Sequence, residues 1–184
     1  MSLPRQITPG SLVMVDRRCD ERRFMLRPDD YVTQVFLYCL AYAAAEFNIL
    51  VHGFVQMANH LHLLLTDPDG CLPLFMERFD GLLARALNAY WGRWENFFCP
   101  GSYNMVRLDS FDDALAKLVY ILGNPVASGL VDHARRWKGA TSVRWKYGET
   151  HTFRRPSGAF FNAGSTLPDE VSLRLAPLSG FAGP

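Results

Sequence analysis

Two apolar, β-rich runs separated by three residues, Ile49 to Gln56 (ILVHGFVQ) and His60 to Thr66 (HLHLLLT), constrain this chain more than any other stretch. Runs this short and this apolar read as strands of a half-buried or buried sheet. Met57-Ala58-Asn59 leaves room for a turn, so the two runs form a hairpin. Successive side chains of a strand point to opposite faces. Leu61, Leu63 and Leu65 therefore enter the core, while His60 and His62 leave together from the other face.

The remaining chain supplies partners for that hairpin. Residues 11–18 (SLVMVDRR) read as a first strand, with Leu12 and Met14 on one face and Val13 and Val15 on the other, before a charged turn around Asp20 and Glu21. From Asp29 to about Phe47, Val32, Val35, Phe36, Cys39, Leu40 and Ala43 recur at helical spacing, and Asp29 or Asp30 caps the start. After the turn cluster Asp67-Pro68-Asp69-Gly70, residues 72–91 carry Leu72, Phe75, Phe79, Leu82, Leu83, Ala86 and Tyr90 at the same spacing. Tyr103 to Leu108 forms a fourth strand. Ser110 then caps a third helix, with Asp113 three residues on. That helix carries Phe111, Leu115, Leu118, Val119 and Leu122, and it is expected to end near Asn124, because Pro125 disfavours helical geometry in the residue before it.

The order strand, helix, strand, strand, helix, strand, helix predicts an α+β fold. Its first six elements follow the ferredoxin-like order, an antiparallel sheet with helices packed on one face. From about Gly139 the periodicity fades, apart from the alternation Val171 to Leu175. Residues 1–138 are thus expected to form the domain, and 139–184 a C-terminal extension, partly extended or adding an edge strand.

Composition narrows the setting. A chain of 184 residues with 49% hydrophobic side chains has enough apolar material for one folded core. Cys19, Cys39, Cys71 and Cys99 are scattered without the spacing of a zinc site, so they are expected to be reduced. Met1 to Gly10 lacks the pattern of a secretory signal, and the longest apolar run, Phe36 to Phe47, falls short of a membrane span. The expectation is a cytoplasmic protein with no membrane partner. The net charge of +1 does not single out nucleic acid, and its distribution matters more than the sum. Between Arg135 and Arg155, seven basic residues (Arg135, Arg136, Lys138, Arg144, Lys146, Arg154, Arg155) face one acid, Glu149, and are interleaved with Trp137, Trp145, Tyr147 and Phe153. Cations for phosphates and rings for bases suit a single strand; a solvated surface over core aromatics fits equally.

Two features could carry chemistry. His60 and His62 converge from one strand face, and paired imidazoles on a stiff strand suit a divalent metal; on its own the pair also fits two histidines satisfied by hydrogen bonds. Tyr120 and Asn124, four apart on the third helix, project from one face. Asn124 offers a carbonyl oxygen to a metal, and Tyr120 a phenol that attacks phosphorus once deprotonated or faced with a polarised phosphate. A packing tyrosine fits the same spacing, and Tyr90, Tyr103 and Tyr147 are competing phenols.

Two blocks then carry a resemblance. MANHLHLLL (Met57 to Leu65) is similar to the M-P-N-H-x-H-L-L-L block of the single-tyrosine HUH transposases of the IS200-like group, most closely its REP-associated tyrosine transposases. YILGNPVASGLV (Tyr120 to Val131) is similar to the family's Y-I-H-x-N-P-V-R-A-G-L-V block. The resemblance runs roughly from Gly10 to Tyr147. It implies an HUH endonuclease fold in which His60, His62 and Asn124 bind Mg or Mn and Tyr120 attacks a DNA phosphate, leaving a 5′-phosphotyrosine and a free 3′-hydroxyl. The implied substrate is single-stranded or hairpin DNA at a palindromic repeat, worked on in a bacterial cytoplasm at the nucleoid, by a homodimer or a monomer. Arg107, Arg135, Arg136, Lys138, Arg144 and Lys146 are the candidate DNA contacts. The chain departs from the family at Ala58, where it has proline, at Leu122, where it has histidine, and at FFCPGSYN (Phe97 to Asn104), which replaces a glutamine- and arginine-rich stretch. A hairpin-binding protein that does not cleave, and a replication initiator or relaxase of HUH type, are the alternative readings.

Overall fold

The expected hairpin forms and takes a central place. In the computed structural model, which describes residues 7–101, 103–162 and 164–178, β1 (Ser11–Arg18), α1 (Asp30–Glu46), β2 (Leu50–Gln56), β3 (His60–Asp67), α2 (Leu72–Trp91), β4 (Asn104–Arg107) and α3 (Phe111–Ala127) follow in the predicted order. The outermost residues of both expected regions, 1–6 and 179–184, lie outside the described residues. The sheet order is β2-β3-β1-β4 with antiparallel neighbours throughout, the ferredoxin-like arrangement. β3 sits between β2 and β1, with Leu61, Leu63 and Leu65 on one face and His60, His62 and Leu64 on the other. Among the described residues no helix is long and apolar enough to cross a membrane.

The two faces carry different layers. Val13, Val15, Leu61, Leu63 and Leu65 pack with Phe36 of α1 and Phe75 and Phe79 of α2 in the larger core. Thus the two helices of the ferredoxin-like order cover one face, as expected. On the other face Met14, Val55 and Leu64 meet Leu118 and Ile121 of α3 in a second, smaller core. α3 is therefore an addition to the ferredoxin-like plan, laid over the face from which the histidines emerge.

Local chemistry fixes these elements. Asp29 caps α1 through a 2.7 Å bond from the Val32 amide. Asp67, buried at the end of β3, accepts from the amides of Cys71 and Leu72 at 2.9 and 2.8 Å, tying the start of α2 to the sheet. Ser110 caps α3 from the Asp113 amide, as the sequence predicts.

Two expectations for α3 are corrected. The helix passes through Pro125 and ends at Ala127 rather than near Asn124. Its exit is held by a Schellman motif, with the Gly129 amide bonded to the Val126 carbonyl, the Leu130 amide to the Pro125 carbonyl, and Gly129 at φ 68°. A proline in the last turn loses one donor, and the motif offsets that loss. The helix is also turned from the expected face: it buries Ala114, Leu118, Ile121, Asn124 and Pro125, and leaves Leu115 and Val119 exposed.

Leu118 of α3 packs directly over Gly53 of β2. A methyl there would lie 2.4 Å from Leu118 Cδ1. We expect Gly53→Ala to destabilise the fold by about 1 kcal/mol, read as a lower urea midpoint, because the end of the Leu118 side chain must shift within the smaller core.

The C-terminal region builds its own two-stranded sheet, β5 (Thr150–Arg154) with β6 (Glu170–Arg174), packed against α1. It does not extend the main sheet by a full strand. It does cover the open edge of β2: the Gln56 amide bonds to Ala140 O at 2.8 Å, Ser142 N to Phe54 O at 3.1 Å and Ala176 N to Val51 O at 2.8 Å. An exposed edge strand invites mispairing, and these contacts close it.

Candidate active site

β3 and α3 bring the four implicated side chains together within one chain. The His60 and His62 rings are 4.8 Å apart, centre to centre, and the Tyr120 ring lies 5.5 Å from His62. The Asn124 amide nitrogen is 3.4 Å from His62 Nε2. One turn of α3 separates Tyr120 from Asn124, and burial of Leu118 and Ile121 points that face at the histidines. Asn124 is 7% exposed and His62 5%, whereas Tyr120 is 49% exposed and open to an incoming molecule. Lys117 places its ammonium 6.0 Å from the centre of the Tyr120 ring. The competing phenols lie elsewhere: Tyr90 packs on Tyr31 at 4.4 Å, and Tyr103 is buried in the larger core.

Both histidines are held neutral. Burial, reinforced by neighbouring His60 and opposed by Asp16, pushes the His62 imidazolium down to about 4. His60 is lowered by burial first and then by Arg18. Asp16 and Arg18 of β1 stand directly opposite His62 and His60 in the sheet register, so they are cross-strand neighbours on the same face. Asp16 is itself held by a 2.7 Å bond from Asn104 Nδ2.

The donor set fits a divalent cation. His60 Nδ1 donates to Asn59 Oδ1 at 2.7 Å, which leaves the Nε2 lone pair free to ligate. His62 Nδ1 is buried with no hydrogen-bond partner in the described structure, and its Nε2 faces only the Asn124 amide. A buried imidazole with an unmet nitrogen is costly unless something binds there. His52, buried on β2, is the contrast: its nitrogens meet Ala176 O at 2.9 Å and Thr66 Oγ1 at 2.8 Å, so it is a satisfied core histidine. Among the described residues no three His, Cys, Asp or Glu side chains form a metal-holding group; the third polar group beside the histidine pair is the amide of Asn124.

The His62 shift has a consequence for stability. An unfolded chain takes a proton on this ring as pH falls below about 6.5, while the folded ring resists until about 4. Stability present above that window is lost as pH falls through it, by up to about 3 kcal/mol. We expect the drop in unfolding free energy of the metal-free protein between pH 7 and pH 4.5 to be smaller in His62→Gln, measured by urea denaturation.

The basic residues are less uniform. Arg107, exposed on β4, bonds Asp109 at 2.8 Å. Arg135 and Arg136 sit in a single 3-10 turn next to α3, with Arg136 paired to Asp132. Arg144 donates to Trp137 O at 3.3 Å, and Lys138 and Lys146 are exposed. The interleaved rings are mostly taken up by the fold. Trp137 is buried with its indole N–H on Gln56 O at 2.8 Å, and Trp145 stacks on His151 at 3.9 Å with its edge to Phe54. The core reading of those aromatics holds for both tryptophans.

Sequence reasoning missed Asn59, Asp16 and Arg18. Asn59 directly precedes His60, and Asp16 interrupts the Leu12-Met14 alternation of β1; both signals were available in the residues, but the pairing of β1 with β3 was not.

No protein-family model matches the chain, and no curated protein is similar to it in sequence. Among solved structures, a REP-associated tyrosine transposase bound to a REP hairpin overlays with a TM-score of 0.66 at 15% identity, over 78% of this chain and 82% of that one. A Deinococcus radiodurans protein, provisionally named a transposase, overlays at 0.46 with 19% identity, over 64% of this chain and 93% of that one, too loosely to argue from. The chain thus has the fold of a REP-associated tyrosine transposase.

Proposed function

We propose that this chain is a REP-associated, transposase-like endonuclease and strand transferase that cleaves single-stranded DNA, at a hairpin or palindromic repeat, with Tyr120 as nucleophile and Mg or Mn as cofactor. The observation that carries the reading is the convergence of Tyr120 and Asn124 on the His60–His62 pair, with a buried His62 nitrogen left unmet. His60, His62 and Asn124 would hold the cation. Bound there, it supplies Lewis-acid charge to the scissile phosphate.

The chain's own residues account for the rest. Tyr120 loses its proton to solvent, its oxygen forms a bond to phosphorus, and the P–O3′ bond breaks, with the leaving oxygen taking a proton from water. One strand end is then linked to the protein through its 5′ phosphate, and the other keeps a 3′-hydroxyl. Attack by a 3′-hydroxyl on the phosphotyrosine reverses the step and rejoins strands without an external energy source. Asn59 keeps His60 in one tautomer and orientation, and α3 keeps Tyr120 beside His62.

Single strands and hairpins labelled at each end test this. With Mg or Mn, cleavage should yield a fragment with a free 3′-hydroxyl and a protein-bound 5′ end, and a chelator should stop it. Tight hairpin binding without cleavage under any divalent metal would contradict the enzymatic reading.

A further inference from the structure

His60 also lines a cleft that holds two arginines. It is lined by Arg18, Arg22, Asn59 and His60. Arg18 projects from β1 opposite His60. Arg22 is held by an unusual loop: Glu21 and Arg22 both have left-handed backbones, at φ 50° and 57°, a conformation non-glycine residues rarely adopt in succession. The loop is pinned to the β2–β3 turn by Asn59 Nδ2 on Arg22 O at 3.3 Å, Cys19 N on Asn59 O at 2.8 Å and Leu26 N on Ala58 O at 2.9 Å.

The cleft's lining holds two arginines and no carboxylate, and Asp16, on the same face of β1 as Arg18, is bonded to Asn104. Nearby Arg23 pairs with Glu21, and Arg93 with Glu95. Arg18 and Arg22 make no ion pair or side-chain hydrogen bond among the described residues. Two guanidiniums on fixed backbone, facing one cleft without a carboxylate, present the donors that recognise phosphate.

Two exposed rings lie in loops tied to this one. Phe24 is 69% exposed and Trp94 is 95% exposed. Their loops are joined: Trp91 Nε1 donates to Met25 O at 3.1 Å, the Arg27 guanidinium lies 4.3 Å over the Trp91 ring, and Asp20 N bonds Phe97 O at 2.9 Å. Cations beside open aromatic faces are what a flexible single strand needs.

We propose that Arg18 and Arg22 form a phosphate-binding subsite for single-stranded DNA next to the metal-site histidine His60, and that Phe24 and Trp94 stack bases of the same strand. This rests on the reading of a DNA-strand substrate given above. Asn59, which touches both the Arg22 carbonyl and His60, joins the subsite to the histidine pair.

The test measures binding of a fluorescent single strand to the full chain in EDTA, where no cleavage occurs. The double variant Arg18→Gln/Arg22→Gln should bind roughly 10- to 100-fold more weakly and lower the slope of log affinity against log salt by about 1.4. Phe24→Ala and Trp94→Ala should each cost about 10-fold, and Arg23→Gln, an ion-paired neighbour, should change little. Replacing single phosphates of the strand by neutral methylphosphonates should then reveal one or two positions that matter to the wild type and not to the double variant. All four arginine and aromatic side chains are exposed, and circular dichroism checks that the variants fold. Unchanged affinity and salt slope in the double variant, no phosphate that couples to it, or a wild type that does not bind the strand would each overturn the subsite. Failure of the cleavage chemistry would appear differently, as intact strand binding with no tyrosine adduct when metal is added.

Discussion

Tyr120→Phe is expected to abolish the covalent protein–DNA adduct and slow metal-dependent strand cleavage by on the order of 10⁴-fold or more, the usual scale for removing a nucleophile. Only the phenolic oxygen is lost. Because Tyr120 is half exposed on α3 and its ring packs against His62, the phenylalanine keeps the packing, and the fold should be unaffected. Tyr90→Phe, altered at a phenol packed against Tyr31, should cleave at the wild-type rate. Single-turnover assays on a labelled strand with Mn separate the two outcomes.

The histidine pair should show the second large effect. His60→Ala with His62→Ala removes both imidazoles from the site, and we expect Mn binding, followed by electron paramagnetic resonance, to vanish and cleavage to fall by roughly 10³-fold. Asn124→Ala should be milder, about 10- to 100-fold in metal affinity, because the two imidazoles remain on their strand. His52→Ala is the informative contrast. Its ring is hydrogen-bonded to Ala176 and Thr66 on both nitrogens, so the change should lower stability and leave Mn binding in place.

Much of the framework was legible in the residues because periodicity and capping are local properties. The alternation of β1 and β3, the helical spacing of α1 and α2, and the Asp29 and Ser110 caps all appear where the pattern puts them. α3 was harder. Pro125 reads as a stop, and only the Gly129 that follows signals that the helix exits one turn later through a Schellman motif. Its apolar side chains also outnumber those the sheet can cover, so spacing alone did not decide that Ile121 is buried and Val119 exposed.

The site divides along the same line. That His60 and His62 share a face follows from a period of two, and that Tyr120 and Asn124 share a face follows from a period near four. That the two faces meet depends on α3 lying over β2 and β3, a tertiary fact that the similarity of two sequence blocks to one family anticipated and spacing did not. Asp16 and Arg18 could not be assigned to the site without the β1–β3 register. In the basic and aromatic stretch from Arg135 to Arg155 both tryptophans pack within the fold and Tyr147 is exposed, whereas Phe24 and Trp94, which no pattern singled out, are strongly exposed.

The most direct test of the central claim is to locate the covalent bond. The chain is incubated with a single-stranded hairpin and Mn, digested, and its nucleotide-bearing peptide identified by mass spectrometry. We predict a nucleotide 5′-phosphate on Tyr120. An adduct on Tyr90, Tyr103 or Tyr147, or cleavage that leaves no protein-linked strand, would contradict it.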